Sequence, residues 1–443
     1  MTGLRRRSAS DIHGSCSQQT CEVSERAEAI VREIRDGGDK LLRTWCANFR
    51  ELRDGRLLLK GDALAAALDR LDDETRRLLE RTARRIRVFA EAQRSSLNNV
   101  TIPIPGGRAG HEVTPIENVG CYAPGGRYPL PSSVLMTVIP ARVAGCARVC
   151  LATPAPSDLM LAAAAIAGAD EVLCAGGAHA IGAMAYGTET VDPVDLIVGP
   201  GNAWVTAAKR SVIGQVGIDA LAGPSELLVI ADEQADPELI AADLLAQAEH
   251  DTEAIPMLLT AWDSVANAVN GAIESQLQHL CTAPVARAAI QNGFCVVCED
   301  EEEVIRLSDR LAAEHVQVIT GNAKELAQKL THYGALFIGA RSAEVLGDYG
   351  AGPNHVLPTA RTSRFSGGLS VLSYLRVRTW IAIDDSVAAE ALNRDASRLA
   401  RLEGLEAHAR AAECRLSQRQ AAHYARPDVT EQTGGVDQRC GPR

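Results

Sequence analysis

The chain has 443 residues, of which 46% are hydrophobic, 4% aromatic and 23% charged, and its formal net charge is −11 at pH 7. This length exceeds what one hydrophobic core usually serves, so two packed domains with smaller appendages are expected. The negative charge, without a basic stripe interleaved with aromatic residues, argues against a nucleic-acid partner, and no stretch reaches the roughly 20 apolar residues that a membrane span needs.

The chain begins with a polar leader, residues 1–18, which we expect to be disordered. Its arginines at positions 5 to 7 are followed by polar residues rather than by the apolar run of a secretory signal. Residues 23–49 and 63–92 then place apolar side chains at helical spacing, with arginine and glutamate on the opposite faces. The N-terminal region is therefore predicted to be helical.

From about Thr101 the pattern changes to short apolar runs separated by alanine-rich helical segments. The runs are NVGCYA, RVCLATP, EVLCAGG, DLIVGPG and ELLVIAD. A second series begins with a predicted helix over residues 237–250 and continues through PMLLTAW, GFCVVCE, VQVITG and ALFIGA. Such alternation predicts βαβ units around mainly parallel sheets.

The predicted fold is therefore α/β, with two doubly wound, mainly parallel-sheet domains and helical appendages at both ends. We expect residues 19–121 and 226–370 to form a discontinuous first domain and residues 122–225 to form a second domain on the cofactor side. Residues 371–415 are expected to be a helical C-terminal segment that takes part in dimerisation. Residues 416–443 are polar and are expected to be a disordered tail.

Twelve cysteines are scattered through this long chain, mostly in strand-like runs. Reduced thiols in a cytoplasmic protein fit this distribution better than the disulfide framework of a short secreted chain. Cys295 and Cys298 have the spacing of a metal-binding pair, but no second pair accompanies them, so buried strand cysteines are the preferred interpretation.

Four glycine-rich turns flank the strand-like runs of the first series. They are YAPGGRYPLPSSVLM, CAGGAHAIGAMAYG, IVGPGNAWVTAAKR and LAGPSELLVIAD. Glycine lets the backbone approach a ligand closely, and helix N-termini after such turns attract phosphate. None is a GxGxxG fingerprint and each alone is typical of an ordinary turn, but four within one domain's length indicate a ligand crevice at strand ends.

Dispersed polar residues raise the possibility of a metal site. Gln247 and His250 are three residues apart, so a helix would place both on one face. Asp348 and His408 could complete a shell of one amide oxygen, one carboxylate and two imidazoles, which suits catalytic zinc or a related divalent ion better than a closed structural site. The alternative is that the helical pair simply faces solvent.

Glu314 and His315 stand where a predicted helix ends and a predicted strand begins. Adjacent carboxylate and imidazole groups suit general acid-base chemistry near neutral pH, because the unperturbed pKa of histidine is about 6.5. A capped helix end is the alternative interpretation of this pair.

The ordered set of motifs resembles the histidinol dehydrogenase family over roughly residues 27–415. The motifs are PGGR-x3-PSSVLM, GGA-x-AI-x-A-x-AYGT, DLIVGPGN, GIDALAGPSE, LLAQAEHD, AEH, GDYGAGPNHVLPT and EGLEAHA. Members of that family bind one zinc per active site and oxidise L-histidinol through an aldehyde to L-histidine with two NAD. The resemblance thus implies a zinc- and NAD-dependent oxidoreductase of histidine biosynthesis.

The resemblance also implies roles for individual residues. His315 would take the alcohol proton, and Glu314 would help to activate water for the second oxidation. The implied zinc ligands are Gln247, His250, Asp348 and His408. These ligands and His315 would also contact the substrate, together with Ser225, His355 and Glu403. The residues implied to lie along the cofactor are Tyr122, His179 and Asn202.

The family is a homodimer whose C-terminal segment reaches the partner's active site, so His408 and Glu403 would complete the other subunit's site. Two positions depart from the commoner family pattern: His179 stands where many members have Gln, and the loop 127–131 differs. Related proteins with altered loops oxidise other polar alcohols such as sulfonated diols, so a paralogue of that kind is the nearest alternative.

Three further alternatives follow from the chemistry. A zinc hydrolase would need only a zinc-bound water and Glu314, and it would form no NADH. A catalytically inactive metabolite-binding protein is disfavoured by the complete set of ligands and bases. An aldehyde dehydrogenase would use a cysteine thiolate, for which Cys121 is near the first glycine loop, but its strand context predicts a buried thiol.

Overall fold

The structure, a computed structural model, describes residues 3–12, 21–125 and 128–416. The described residues form two compact units, one within residues 3–97 and 115–375 and the other within residues 98–114 and 376–416. Among the helices of the described residues, none combines the length and the apolar character needed to cross a membrane.

The strands follow in chain order. They are β1 Arg5–Arg6, β2 Leu58–Lys60, β3 Val100–Ile104, β4 Gly107–Pro115, β5 Asn118–Tyr122, β6 Arg148–Ala152, β7 Glu171–Leu173, β8 Leu196–Val198, β9 Gly217–Ile218, β10 Glu226–Ala231, β11 Ile255–Thr260, β12 Phe294–Val297, β13 His315–Ile319, β14 Ala335–Ile338 and β15 Leu375–Ile383.

The helices alternate with these strands through most of the chain. They are α1 Cys21–Asn48, α2 Gly61–Asp69, α3 Asp73–Ser95, α4 Pro131–Ala144, α5 Asp158–Ala167, α6 Gly177–Tyr186, α7 Ala203–Ser211, α8 Pro237–Ala248, α9 Asp263–Leu277, α10 Ala283–Ile290, α11 Glu301–Leu311, α12 Ala323–Ala327, α13 Val345–Asp348, α14 Glu390–Leu402 and α15 Glu406–Glu413. Helix α1 is interrupted at Gly38, where φ is +54°.

Sheet A has the strand order β1-β12-β11-β10-β13-β14, and all of its strand pairs are parallel. Along β10, Leu227 and Val229 pack in the core under α8, α9 and α10, whereas Leu228 and Ile230 pack with α11 and α12 on the opposite face. Both faces of the strand are buried, which explains why residues 227–231, LLVIA, are all apolar.

Sheet B has the order β2-β7-β6-β5-β8-β9, in which only the edge strand β2 pairs antiparallel. Val119 and Cys121 of β5 face the core beneath α3, α4 and α5, and Tyr122 faces the core shared with α1, α6 and α7. The predicted α/β class with two mainly parallel sheets is confirmed.

The contacts divide the chain differently from the expected domain boundaries. The predicted boundary between residues 121 and 122 falls inside β5, and α1 and α3 pack on sheet B rather than on sheet A. Sheet A instead takes in part of the expected disordered leader: Arg5 and Arg6 pair with β12, and Leu4 and Ile12 are buried in its two cores. The rest of the leader lies outside the described residues.

The second unit contains β3, β4 and most of β15 in a three-stranded sheet, followed by α14 and α15. The expected helical segment 371–415 therefore includes a nine-residue strand, Leu375–Ile383. Only the first four residues of that strand, Leu-Arg-Val-Arg, alternate between apolar and polar side chains, so its sequence carries a weak period-two signal. The expected disordered tail lies outside the described residues except for Leu416.

Candidate active site

The predicted acid-base pair lies at the amino edge of sheet A. Helix α11 ends at Leu311 and β13 begins at His315, so Glu314 and His315 occupy the helix-to-strand junction that the sequence predicts. Because β10 and β13 are parallel neighbours, their first residues meet at the same edge. Glu314 and His315 are both buried there.

Four charged or imidazole side chains converge at this edge. Nε2 of His315 lies 3.5 Å from Oε1 of Glu344 and 4.0 Å from Oδ1 of Asp348. Nε2 of His250 lies 3.3 Å from Oδ2 of Asp348. The fold thus brings together one residue just after α8, the first residue of β13 and two residues at the ends of α13, which are up to 98 positions apart in the sequence.

His355 joins the same cluster from the loop after α13. Its Nδ1 donates to the backbone carbonyl of Asp348 at 3.0 Å and lies 3.9 Å from Oδ1 of the same residue. Its Nε2 lies 3.4 Å from Oγ of Ser133, near the start of α4. The predicted substrate residue His355 is therefore next to the predicted metal ligand Asp348.

Gln247 is in the last turn of α8 and is only 1% exposed. Its Oε1 is buried and has no hydrogen-bond partner among the described residues. An unpaired buried amide oxygen costs free energy unless a donor or a cation satisfies it. This orphaned oxygen, close in sequence to His250, fits a metal ligand and rules out a solvent-facing position for Gln247.

Burial strongly perturbs the ionisable groups of the cluster. It lowers the pKa of His315 to about 4, which favours the neutral ring, and it raises the pKa of Glu314 well above its ordinary value. It also raises the pKa of Glu344 to about 8, with a further contribution from Asp348. The hydrogen bond with Asp348 raises the pKa of His250. Such opposed shifts are typical of functional sites.

The predicted cofactor residues lie at the carboxyl edge of sheet B. Tyr122 ends β5, His179 is in the first turns of α6 after β7, and Asn202 caps α7 after β8. The strand order reverses between β5 and β8, and ligands of open α/β sheets bind at such a reversal. The sheet thus places these three residues where a dinucleotide crevice is expected.

Each of these side chains has a defined partner. The Tyr122 hydroxyl accepts the N–H of Gly177 at 3.1 Å, and the Asn202 side chain accepts two N–H groups of the α7 N-terminus. His179 is buried and contacts Oε2 of Glu51 at 2.7 Å. The Glu51 carboxylate therefore fixes the ring of His179, the position at which the resemblance more commonly implies Gln.

The remaining predicted residues lie elsewhere. Ser225 immediately precedes β10. Glu403 and His408 belong to the second unit, at the end of α14 and in α15, and both are exposed. The loop 127–131 is described only from Tyr128, since Arg127 lies outside the described residues. Cys295 and Cys298 are buried in and just after β12, as the preferred interpretation predicts.

Sequence reasoning missed Glu344, Glu226 and Ser133. Glu344 is fully buried, and neither of its carboxylate oxygens has a hydrogen-bond partner among the described residues. It is four residues before Asp348, a helical spacing that could have indicated a shared face. The glycine between them, Gly347, hides that signal, because the segment does not look helical.

The environment of Cys121 argues against an aldehyde dehydrogenase that uses this cysteine as its thiolate nucleophile. Cys121 is fully buried, and burial raises the pKa of its thiol far above the ordinary value. Because a nucleophilic cysteine must be accessible and ionised, Cys121→Ala is expected to retain about half or more of the wild-type kcat for the aldehyde oxidation that the resemblance implies. Steady-state NADH formation from the aldehyde measures this.

The matched control is Cys150→Ala, because Cys150 is equally buried in the neighbouring strand β6. Each substitution removes one buried sulfur atom, so similar small losses of stability are expected for the two variants. A loss of aldehyde oxidation beyond about a hundredfold in the Cys121 variant alone would show that its thiol reacts.

Comparison with known proteins gives a consistent result. A sequence profile described as Histidinol dehydrogenase matches residues 15–416. The chain is 42% identical over 421 residues to a protein named "Histidinol dehydrogenase" from Cereibacter sphaeroides, covering 94% of each. It is also 42% identical over 394 residues to "Histidinol dehydrogenase homolog 1" from Mesorhizobium japonicum, covering 87% of this chain and 79% of that one. A crystal structure of histidinol dehydrogenase from Elizabethkingia anophelis matches with a TM-score of 0.84 at 34% identity, over 93% of this chain and 94% of that one.

Proposed function

The chain belongs to the histidinol dehydrogenase family, and from this membership we propose that it oxidises L-histidinol to L-histidine through the aldehyde, with two NAD and one Zn²⁺ per active site. It is an NAD-dependent oxidoreductase, and the family supports a place in histidine biosynthesis. The observations that best support the detailed proposal are the convergence of His250, His315 and Asp348 and the unpartnered, buried amide oxygen of Gln247, three residues before His250 in the sequence.

The donor set fits zinc. Gln247, His250 and Asp348 offer one amide oxygen, one imidazole and one carboxylate, and His408 of the partner subunit would supply the second imidazole. Mixed nitrogen and oxygen donors with room for substrate suit a catalytic rather than a structural site. When bound, the metal polarises the hydroxyl and amine of the substrate.

The ring of His315 is oriented to accept a proton. Its Nδ1 lies 3.1 Å from the carbonyl oxygen of Glu226, and because a carbonyl can only accept, the proton is on Nδ1. The lone pair is then on Nε2, which faces Glu344 and Asp348. We propose that Nε2 takes the hydroxyl proton as hydride passes to NAD, which yields the aldehyde and NADH.

The second oxidation needs water as nucleophile. We propose that Glu314, next to His315, takes a proton from that water as it adds to the aldehyde carbon. The resulting hydrate then gives a second hydride to NAD and becomes the carboxylic acid. The four electrons leave as two hydrides, and the added oxygen comes from water.

One assay tests this function directly. We expect two NADH for each histidinol consumed, followed by absorbance at 340 nm against histidine formed, and loss of the activity after treatment with a chelator. Restored activity on addition of Zn²⁺ is the control for specific metal removal. One NADH per histidinol, or activity that resists metal removal, would contradict the proposal, and no NADH at all would favour the hydrolase.

A second candidate is a paralogue with the same chemistry and another polar alcohol such as a sulfonated diol. The altered loop 127–131 favours it, because that loop precedes α4, whose Ser133 contacts the predicted substrate residue His355. The same NADH assay with the diol in place of histidinol distinguishes the two candidates.

We also propose a homodimer in which His408 and Glu403 act in the partner's site. Both residues are exposed on the second unit of this chain, which leaves them accessible to another subunit. We also propose a cytoplasmic location, which is supported by the free thiols of the cysteines whose side chains the structure describes.

A further inference from the structure

The amino ends of β10 and β13 are joined by a reciprocal set of hydrogen bonds. The Glu226 carboxylate accepts the backbone N–H of Glu314 at 3.2 Å and that of Ala360 at 3.1 Å. In return, the backbone N–H of Glu226 donates to Oε2 of Glu314 at 2.9 Å, and its carbonyl accepts Nδ1–H of His315 at 3.1 Å. A single residue thus contacts both members of the acid-base pair.

We propose that Glu226 is a positioning residue, which holds the Glu314 carboxylate and the His315 ring in the arrangement that removes protons from substrate and water. This inference rests on the proposed function, because it concerns the same reaction. Glu226 acts through its two neighbours. The Glu226 side chain holds the backbone N–H of Glu314, just before β13. The Glu226 backbone N–H holds the carboxylate of Glu314.

A carboxylate is well suited to this position, because the two N–H donors reach two different oxygens. Glutamine would offer one oxygen and would turn its own NH₂ group toward the other donor, while alanine would leave both donors unpaired. Burial raises the pKa of Glu226 to about 7, and the N–H groups of Ala360 and Glu314 oppose that rise. The two hydrogen bonds therefore also stabilise the charge of Glu226.

The other ends of the same two strands provide a matched control. The carboxylate of Asp232, just after β10, accepts the N–H of Gly321, just after β13, at 2.6 Å and that of Gln234 at 3.0 Å. Asp232 therefore joins the same strand pair by the same type of contact, at the edge opposite the acid-base pair. If both carboxylates served only to join the two strands, neither substitution would lower kcat.

The experiment compares Glu226→Ala with Asp232→Ala. Glu226→Ala is expected to lower kcat for aldehyde oxidation by about 10- to 100-fold with unchanged zinc content, which is the range for removing a group that orients active-site side chains. Asp232→Ala is expected to lower Tm by less, because its hydrogen bonds are exposed, and to keep kcat within about twofold of wild type. Glu226→Gln, which retains one acceptor, is expected to lie between wild type and Glu226→Ala and tests the inference if the alanine variant does not fold.

Amide hydrogen exchange gives a readout that does not depend on activity. Glu226→Ala is expected to speed exchange at the amides of Glu314 and Ala360, whereas Asp232→Ala should leave both unchanged. The inference is overturned if the wild type is active and the Glu226 variants have the same kcat as Asp232→Ala. It is also overturned if exchange at these amides is unchanged in Glu226→Ala. Either result leaves the proposed function intact. A wild type that forms no NADH from histidinol overturns the proposed function instead.

Discussion

Replacing His315 with Asn is expected to lower kcat for histidinol oxidation by about two to four orders of magnitude, the usual range for loss of a general base. Asparagine approximates the size of the ring and can still donate to the Glu226 carbonyl. It has no lone pair on nitrogen that can accept the hydroxyl proton, so the loss falls on the chemical step. The measurement is steady-state kcat with saturating NAD, together with zinc per chain by atomic absorption.

His332→Asn is the matched control for this substitution. Nδ1 of His332 lies 3.1 Å from the carbonyl oxygen of Asp309, the same contact that His315 makes with Glu226, and His332 is outside the cluster. This control should keep kcat within about twofold of wild type. If His315→Asn retained more than about a tenth of wild-type kcat, or lost its zinc, the role of His315 as the proton acceptor would be wrong.

Mixing two inactive variants is expected to restore activity if His408 serves the partner's site. His315→Asn and His408→Asn homodimers should each be nearly inactive. After random reassociation, half of the dimers are hybrids, and each hybrid has one site with both an intact His315 and the partner's intact His408. About a quarter of wild-type activity is therefore expected, because one of two sites works in half of the dimers. NADH formation after co-refolding or co-expression measures this recovery.

The control mixture combines His315→Asn with His250→Asn. Both changes lie in the same unit and would fall in the same subunit's share of the site, so no hybrid contains an intact site and no recovery is expected. Recovery in the first mixture but not in the second supports a shared site. If verified hybrid dimers of His315→Asn and His408→Asn showed no recovery of activity, His408 would belong to the site of its own subunit.

The sequence alone predicted strands β5 to β8 and β10 to β14 of the two sheets and the helices between them. Runs such as LLVIA, residues 227–231, are apolar at every position because parallel strands are covered on both faces, and this pattern is local. The junction at Glu314 and His315 was predicted for the same reason, since a helical period gives way there to a strand. The resemblance of the ordered motifs then assigned chemistry to residues far apart in the chain.

Only the tertiary structure decided which elements pack together. Helix α3 has an apolar stripe that its sequence reveals, but that stripe would fit any apolar face, and the fold places it on sheet B. The strand Arg5–Arg6 is too short for a periodic signal in the sequence. It is a strand because its backbone pairs with β12, a contact between residues far apart in the chain. Domain boundaries depend on such long-range contacts.

The same distinction holds within the site. Gln247, His250 and Asp348 could be named from sequence, whereas Glu344 and Glu226 gained their significance only from what surrounds them. Glu344 is an ordinary carboxylate until the fold buries it beside His315, and Glu226 is the first residue of a strand until β13 brings Glu314 against it. A side chain's local pattern determines its chemical type, but desolvation and partners depend on residues distant in sequence, and these set its charge and its role.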